Sequence, residues 1–238
     1  MELYVIRHAQ STNNALADER YRVCDPLLTE LGERQADVLA RHLANGAELQ
    51  PPASTGDGWD GGGYRITRLY CSPMWRSLQT AYPIGQLLAL APEVWTDIHE
   101  KGGIFLDQWD GRGPIGYPGK TRQEIQKAFP HCILPEDITK EGWWNRDHED
   151  WPACHERAAR VAQVLREQAT SSDQAIAIVS HGGFLDALIK ALFSQQPDGQ
   201  LFYYHYNTAV SRFDLNGNGR LDIHYLNRVG HLPAELVS

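Results

Sequence analysis

The chain has 238 residues, of which 42% are hydrophobic and 22% charged, and its formal net charge at pH 7 is −8. This composition is ordinary for a globular protein and excludes the disordered and fibrous classes. The negative balance argues against nucleic acid as a partner, because nucleic-acid binding depends on a broad basic face. A small anionic ligand stays possible, since a few convergent arginines create a positive field inside an acidic protein.

The sequence indicates neither a membrane span nor a disulfide framework. No stretch approaches the roughly 20 consecutive apolar residues that a membrane helix requires, and Met1 leads directly into a strand-like segment without a basic leader. We therefore expect a cytoplasmic protein without a membrane partner. The cysteines are widely spaced and form no CxxC pair, so we expect reduced packing residues. They are Cys24, Cys71, Cys132 and Cys154.

Short β-prone runs alternate with helical patterns along the chain. The first three predicted strands lie at 3–6, 66–71 and 175–179. The predicted helices lie at 30–44, 74–90, 153–168 and 183–193. Two more predicted strands, 210–215 and 221–226, fit a hairpin with an Asn-Gly turn. The alternation predicts an α/β three-layer sandwich with a mostly parallel central sheet flanked by helices.

Two segments interrupt this pattern within an expected single domain spanning 1–238. Residues 50–65 are rich in Gly, Pro and Ser, which predicts a surface insertion without a role in function. Residues 101–152 have an irregular pattern, and we expect them to form a cap over the active site. Their tryptophans fit a local mini-core better than a substrate pocket. These are Trp109, Trp143, Trp144 and Trp151.

An Arg-His pair follows the first predicted strand, in the sequence RHAQSTNN at 7–14. Ligands of open α/β sheets lie beyond the carboxyl ends of the strands, where Arg7 and His8 are placed. A neutral imidazole nitrogen can attack phosphorus, and a guanidinium can bind phosphate oxygens in bidentate fashion. Taken alone, this dipeptide also fits a solvated loop pair.

A second histidine stands at another strand end, where an apolar run leads into SHGG at 180–183. Gly182 and Gly183 let the backbone approach a ligand, and the free amides at a helix start favour an anion. Composition alone does not explain why two histidines, His8 and His181, stand at two such strand ends.

Further blocks extend the pattern through nearly the whole chain. They are DPLLTELGERQA at 25–36, CSPMWRSLQTA at 71–81, VSHGGFLDAL at 179–188 and the segment 227–232. Together with RHAQSTNN they resemble the histidine phosphatase superfamily, also called the phosphoglycerate mutase-like family. The corresponding family elements are RHGExxxN, DxPLTxxGxxQA, SxxxRxxQTA, the block around the second histidine and a closing NxxxHL.

The resemblance implies a role for each matching residue. His8 is the expected phospho-accepting nucleophile, and Glu100, in TDIHEKGG at the end of a probable strand, is the expected proton donor. The expected phosphate pocket consists of Arg7, Asn14, Arg76, His181 and Gly182. Phosphoryl transfer needs in-line positioning, charge stabilisation and a proton for the leaving alkoxide, which arginines, imidazolium and a carboxyl group supply. We therefore expect neither a metal nor a cofactor.

Several positions keep a second interpretation or depart from the family pattern. On local pattern alone, Arg76 fits a snorkelling surface arginine, Glu100 a solvated carboxylate and Asn14 a helix cap. Ala9 replaces the usual glycine after the nucleophile and adds a methyl group where the backbone should approach phosphate. Gln10 replaces the common Glu and removes a negative charge, which predicts a more positive local field.

Two patterns imitate metal sites. The sequence DLNGNGRLD at 214–222 begins like a calcium loop, but its twelfth position is Tyr225 instead of a bidentate Glu. His148, Cys154 and His155 lie close in sequence, yet their spacing matches no zinc pattern.

The function we expect is that of a metal-independent histidine acid-type phosphatase, a phosphoric monoester hydrolase acting on a small phosphorylated metabolite. A phosphohistidine on His8 is the expected intermediate. The nearest alternative is a mutase of the phosphoglycerate mutase type. Mutases carry an RHYG-like segment after the acidic residue, whereas this chain reads EKGGIFLDQWDG. A third alternative is a non-catalytic protein that binds a phosphate ligand. The sequence leaves the substrate and the oligomeric state open.

Overall fold

A computed structural model describes residues 1–45 and 64–238, and its main feature is a six-stranded sheet. The strands are β1 (Glu2–Arg7), β2 (Arg68–Cys71), β3 (Glu93–Val94), β6 (Ala175–Ser180), β7 (Val210–Leu215) and β8 (Leu221–Arg228). Their order across the sheet is β3-β2-β6-β1-β7-β8. The first four in this order are parallel, and β7 and β8 are antiparallel additions. The expected mostly parallel central sheet is confirmed.

Helices cover both faces of this sheet. They are α1 (Glu30–Asn45), α2 (Trp75–Leu88), α3 (Arg122–Ala128), α4 (Trp151–Ser171) and α5 (Gly182–Leu192). Because side chains alternate along a strand, β1 serves two cores. Tyr4 and Ile6 pack in the core that includes α1 and α2, whereas Leu3 and Val5 pack in the core that includes α4 and α5. This arrangement is the expected α/β three-layer sandwich.

Strand β6 shows why the sheet is parallel at its centre. All six of its residues, AIAIVS, are buried, as in a strand with a helix layer on each face. It pairs in parallel with β1 on one side and β2 on the other. The carboxyl ends of these three strands therefore lie next to one another.

The C-terminal hairpin is confirmed. The turn between β7 and β8 is closed by the Gly219 amide, which donates to the Asn216 carbonyl at 2.9 Å. Gly219 has φ +88°, a conformation that glycine adopts readily.

Within residues 1–45 and 64–238, no three His, Cys, Asp or Glu side chains cluster in a way that could hold a metal ion.

The predicted insertion at 50–65 lies mostly outside the described residues, which resume at position 64. Tyr64 itself contradicts a surface position because only 2% of it is exposed. Its ring packs against Tyr4 at a centroid distance of 5.3 Å and against His42 at 5.2 Å. An aromatic ring that fills the space between β1 and α1 is thus part of the core.

The segment 101–152 is more regular than expected. It contains a second, two-stranded sheet of β4 (Phe105–Asp107) and β5 (Pro114–Gly116), followed by α3. Helix α3 begins with a capping box in which Thr121 and Glu124 satisfy each other's backbone amides. The capping-box residues are visible in the sequence, but the helix that they start has only seven residues.

The tryptophans of this segment divide into two pairs. Trp143 and Trp144 are buried with ring centroids 5.7 Å apart, and they join the core of α1 and α2. Trp109 and Trp151 are instead 56% and 39% exposed. The expected local mini-core is therefore wrong, because the first pair belongs to one of the two main cores and the second pair is exposed.

All four cysteines are free thiols. No helix in the described parts of the chain combines the length and the apolar character that a membrane crossing requires.

Candidate active site

The two sequence-predicted histidines meet at the carboxyl edge of the sheet. Arg7, the last residue of β1, pairs with Ser180, the last residue of β6. His8 and His181 follow these positions directly, so their ring centroids lie 5.0 Å apart. The register of two neighbouring parallel strands is what brings them together.

A cleft of about 230 Å³ opens at this edge. Five sequence-predicted residues line it: Arg7, His8, Asn14, Arg76 and Glu100. His181 is fully buried behind His8 and does not line the cleft. At Gly182, a Cβ would lie 3.5 Å from the Nε atom of Arg7, so its backbone passes close to that guanidinium.

The two hydrogen bonds of the His8 imidazole leave its Nε2 atom without a proton. Its Nδ1 atom lies 2.7 Å from the carbonyl oxygen of Ala9, to which only an N–H can donate. Its Nε2 atom accepts a hydrogen bond from Nε of Arg76 at 3.1 Å. Burial, and then the Arg76 and Arg7 cations, hold the pKa of His8 well below its ordinary value. His8 is therefore neutral at pH 7, with its lone pair on Nε2.

Arg76 enters the cleft from the first turn of α2 and is only 7% exposed. Burial lowers its pKa, and the nearby Asp25 and Glu100 carboxylates oppose that effect. Its Nη1 atom lies 3.8 Å from Oδ1 of Asp25, which also accepts a hydrogen bond from the Trp75 amide at 3.1 Å. Burial raises the pKa of Asp25. The arginine is thus a buried cation with a partner behind it.

Arg7 keeps part of its donor capacity unused. Its Nη1 atom donates to the carbonyl of His205 at 2.5 Å. Its Nε atom is buried and has no hydrogen-bond partner within the described residues. A buried N–H without a partner is costly, and an anion in the cleft would satisfy it.

Asn14 has a structural task in addition to its place in the cleft. Its Oδ1 atom accepts hydrogen bonds from the amide and the hydroxyl of Ser11 at 3.0 and 2.9 Å. Asn14 also lines the cleft, so the loop after His8 is closed by the same residue that was expected to contact phosphate.

Glu100 does not stand at the end of a strand as expected, because β3 ends at Val94 and a short 3₁₀ helix, Thr96–Ile98, lies between. Its Oε1 atom accepts hydrogen bonds from the amides of Lys101 and Phe184 at 2.8 and 3.0 Å. Its Oε2 atom accepts one longer bond, 3.3 Å, from Gly183. The carboxyl group is held by amides at the start of α5, which favours a negative group at that position. Oε2 is the less engaged oxygen.

A buried ion pair supports the loop that carries Glu100. Arg157 of α4 donates to both carboxylate oxygens of Glu149, at 2.8 and 2.6 Å. Its Nη1 atom also donates to the carbonyls of Asp97 and His99, at 2.6 and 3.1 Å. One side chain therefore joins α4, the end of the 101–152 segment and the backbone just before Glu100.

The two departures from the family pattern point away from the cleft. Ala9 is fully buried and packs with Leu28 and Ala36, so its methyl group does not narrow the pocket. The Oε1 atom of Gln10 accepts a hydrogen bond from Thr29 at the start of α1, at 2.8 Å. Neither residue lines the cleft, and the effect of Gln10 on the local field stays a prediction.

Four supporting residues were not assigned a role from sequence. Ser72 contacts Nε2 of His181 at 2.7 Å, and Thr80 accepts a hydrogen bond from the Ala9 amide at 3.0 Å. Ser72, Thr80 and Asp25 all lie inside the blocks quoted from the sequence, so their positions were a usable signal. Asn207, which donates to the carbonyl of His8 at 2.8 Å, lies in an irregular segment with no such signal.

Residues 236 and 238 also contribute to the support of the loop after β1. Gln35 accepts a hydrogen bond from the Gln10 amide at 2.8 Å and donates to the carbonyl of Leu236 at 2.7 Å. The Asn207 amide donates to the carbonyl of Ser238 at 2.9 Å. The loop after β1 is thus braced by α1 and by residues 236 and 238.

This geometry defines an α/β protein whose cleft, at the carboxyl edge of the sheet, is built around two histidines and two arginines. The model of the histidine phosphatase superfamily (branch 1) matches residues 3–54 and 62–228. The chain belongs to this superfamily, as the sequence resemblance predicted.

Curated and solved relatives agree with this assignment. Phosphoglycerate mutase-like protein 1 of Arabidopsis thaliana is 24% identical over 230 residues, covering 82% of this chain and 73% of its own length. A phosphoserine phosphatase from Entamoeba histolytica, solved with 3-phosphoglyceric acid, has a TM-score of 0.60 and 17% identity, with 98% and 99% of the two chains covered. The alpha-ribazole phosphatase of Shigella flexneri has a TM-score of 0.61 and 19% identity, with 96% of each chain covered. At these identities the two solved structures show that the fold is shared.

Proposed function

We propose that the protein is a metal-independent phosphomonoesterase that hydrolyses a small phosphorylated metabolite through a phosphohistidine on His8. The observation that carries the proposal is the state of His8, which is neutral, has its lone pair on Nε2 and lies beside two guanidinium groups. The membership of the superfamily and the phosphatases among the structural neighbours support it.

In the first step, the Nε2 atom of His8 attacks phosphorus, and the bond from phosphorus to the ester oxygen breaks. Arg76, which donates to Nε2 from its Nε atom, moves its N–H groups to the phosphate oxygens. The free Nε of Arg7 binds another oxygen. Preorganised donors of this kind stabilise charge that develops in the transition state. The protonated carboxyl of Glu100 gives its proton to the leaving alkoxide.

In the second step, a water molecule attacks the phosphorus of the phosphohistidine, and the bond from Nε2 to phosphorus breaks. Glu100, now a carboxylate, takes the proton of that water, with Oε2 as the better-placed oxygen because only one long bond engages it. Inorganic phosphate leaves, and His8 returns to its neutral form. Atoms and charges balance without a metal ion.

A mutase is the second candidate, because a curated relative is named phosphoglycerate mutase-like. A mutase would keep the phosphoryl group on His8 until the substrate had turned and presented its second hydroxyl. The two candidates share the first step and differ in whether water or the substrate accepts the phosphoryl group.

The deciding experiment is the hydrolysis of p-nitrophenyl phosphate in the presence of EDTA, with isomerisation of 3-phosphoglycerate followed in parallel. We expect metal-independent phosphate release by the native protein and none by His8→Ala. An alkaline quench followed by intact-mass analysis should show one phosphoryl group on the native chain.

His224→Ala is the matched control, since His224 is an exposed histidine that pairs with Asp214 at 2.8 Å on the C-terminal hairpin. It should retain activity. Isomerisation without hydrolysis would make the protein a mutase. Inactivity in both assays, with intact folding, would favour the non-catalytic alternative.

A further inference from the structure

The cleft holds more positive charge than one phosphate group requires. Among the described residues that line it, the cations are Arg7, Arg22, Arg76 and Lys101, and the single carboxylate is Glu100. A phosphate monoester carries about two negative charges. When Glu100 holds the proton that it donates, and Asp25 is counted as the partner of Arg76, the four cations still exceed the negative charges by one.

Arg22 is on a segment whose backbone is fixed. The side chain of Asn13 donates to the Val23 carbonyl at 2.8 Å and accepts from the Val23 amide at 3.0 Å. The Arg22 amide donates to the carbonyl of Glu19 at 3.1 Å, which closes a short 3₁₀ helix. These contacts hold the residue at the cleft while leaving its guanidinium free to orient.

The guanidinium of Arg22 makes no ion pair with any residue that the structure describes, although the chain has 30 acidic against 22 basic residues. Its neighbour Arg20 has one, with Asp18 at 2.7 Å. Burial lowers the pKa of Arg76, and the positive charge of Arg22 lowers it further. Arg22 is exposed, so solvent weakens its repulsion with Arg76, and an anionic ligand between the two guanidinium groups would offset what remains.

We propose that Arg22 forms a second anion subsite, and that the natural substrate is a compact phosphomonoester bearing another anionic group, either a carboxylate or a second phosphate. The phosphoryl group to be transferred occupies the end of the cleft with His8, Arg7 and Arg76, and the second anion contacts Arg22. The cleft volume of about 230 Å³ fits a compact molecule. This inference rests on the proposed function, and it names the substrate class for the same site.

The test measures binding by titration calorimetry in the His8→Ala background, where the ligand is not consumed. Two ligand pairs separate the two anion sources. In the first, 3-phosphoglycerate is compared with glycerol 3-phosphate, which has a hydroxymethyl group in place of the carboxylate. In the second, propane-1,3-diol bisphosphate is compared with its monophosphate. We expect the doubly anionic member of at least one pair to bind about 10- to 100-fold more tightly, the range for a charged hydrogen-bonded contact.

The affinity ratio within that pair should fall below about 3-fold when Arg22→Gln is added, because the substitution removes an interaction of the size of a charged hydrogen bond. Arg20→Gln removes the same charge two residues away, outside the cleft lining, and should leave the ratio unchanged. A ratio within one variant does not depend on the fraction of folded protein.

Equal affinities within both pairs, or a ratio that Arg22→Gln does not change, would overturn the subsite. Failure of the proposed function has a different signature, the absence of p-nitrophenyl phosphate hydrolysis by the native protein. The affinity ratios are measured whether or not that hydrolysis occurs.

Discussion

The Oγ atom of Ser72 holds the imidazole of His181 in place. It lies 2.7 Å from Nε2 of His181 and accepts a hydrogen bond from the Met74 amide at 3.2 Å. A hydroxyl group can donate and accept, so this contact orients the ring in either tautomer. The other ring nitrogen, Nδ1, is buried and has no partner among the described residues. Ser72 thereby fixes the orientation of His181 next to His8.

Ser72→Ala should lower kcat/KM for p-nitrophenyl phosphate by about 10-fold or more, as expected when the partner that orients a functional histidine is removed. Steady-state kinetics measures this effect. Tyr64→Phe is the matched control, because it removes a buried hydroxyl that contacts another histidine, His42, at 2.8 Å, outside the cleft lining. Equal losses in both variants would show that Ser72 acts only through stability.

Acid should destabilise the folded protein below pH 6.5. Burial is the first cause that holds the pKa values of His8, His99 and His181 well below 6.5, so the folded state keeps these rings neutral. In the unfolded chain these histidines bind protons near pH 6.5. Their contribution to stability is therefore complete above this pH and is lost as the pH falls toward the pKa values of the folded state. Each ring contributes a slope of about 1.4 kcal/mol per pH unit.

Urea unfolding between pH 6.5 and 5.5 measures that slope. His99→Asn retains a donor for the Glu100 carbonyl, which Nδ1 of His99 contacts at 2.8 Å, and removes one titrating ring. Over this range the unfolded imidazole goes from half to about nine-tenths protonated, so the loss of stability should be smaller by about 1 kcal/mol across the pH unit. An unchanged slope would mean that His99 is not neutral in the folded state.

Arg157→Met should destabilise the protein by about 3–5 kcal/mol, because it leaves the Glu149 carboxylate buried without a partner. Urea unfolding checks this value. The double variant Arg157→Met/Glu149→Leu should recover much of the loss, since replacing a buried pair by apolar residues is often nearly neutral. If the double variant is no more stable than the single one, the carbonyl contacts of Arg157, and not the charge pair, dominate.

Ala9→Gly should cost about 1–2 kcal/mol of stability, from one lost buried methyl and a more flexible backbone. The methyl packs with Leu28 and Ala36 and does not line the cleft, so we expect kcat/KM to change by less than about 3-fold. Thermal unfolding and steady-state kinetics measure the two effects. A large change in kcat/KM would place the methyl in the phosphate pocket after all.

Much of the fold was readable because its determinants are local. The strands β1 and β6 are continuous apolar runs, and the helices that follow them have clear periodicity, so the positions of His8 and His181 followed from strand ends. The expected strand end at Glu100 is wrong because residues 96–98 form a single 3₁₀ turn, which has no periodicity to detect. The burial of Tyr64 likewise depends on Tyr4 and His42, which are distant in sequence.

The sequence predicted the site residues that directly follow a strand, but it did not predict the residues that support them. Asn207 and Arg157 contact the loops that carry His8 and Glu100 across long sequence separations, and these contacts depend on tertiary packing alone. Arg22 looks like an ordinary surface arginine in the sequence. Its place at the cleft depends on the clamp that Asn13 makes with Val23.

The position of β1 between β6 and β7 has a consequence for the order of synthesis. His8 is made well before both strands that flank β1 and before Asn207, whose side-chain amide holds the carbonyl of His8. A nascent chain that stops before β6 therefore carries His8 with no sheet neighbour on either side of β1. The cleft can form only after β6 and β7 have been made and have paired with β1.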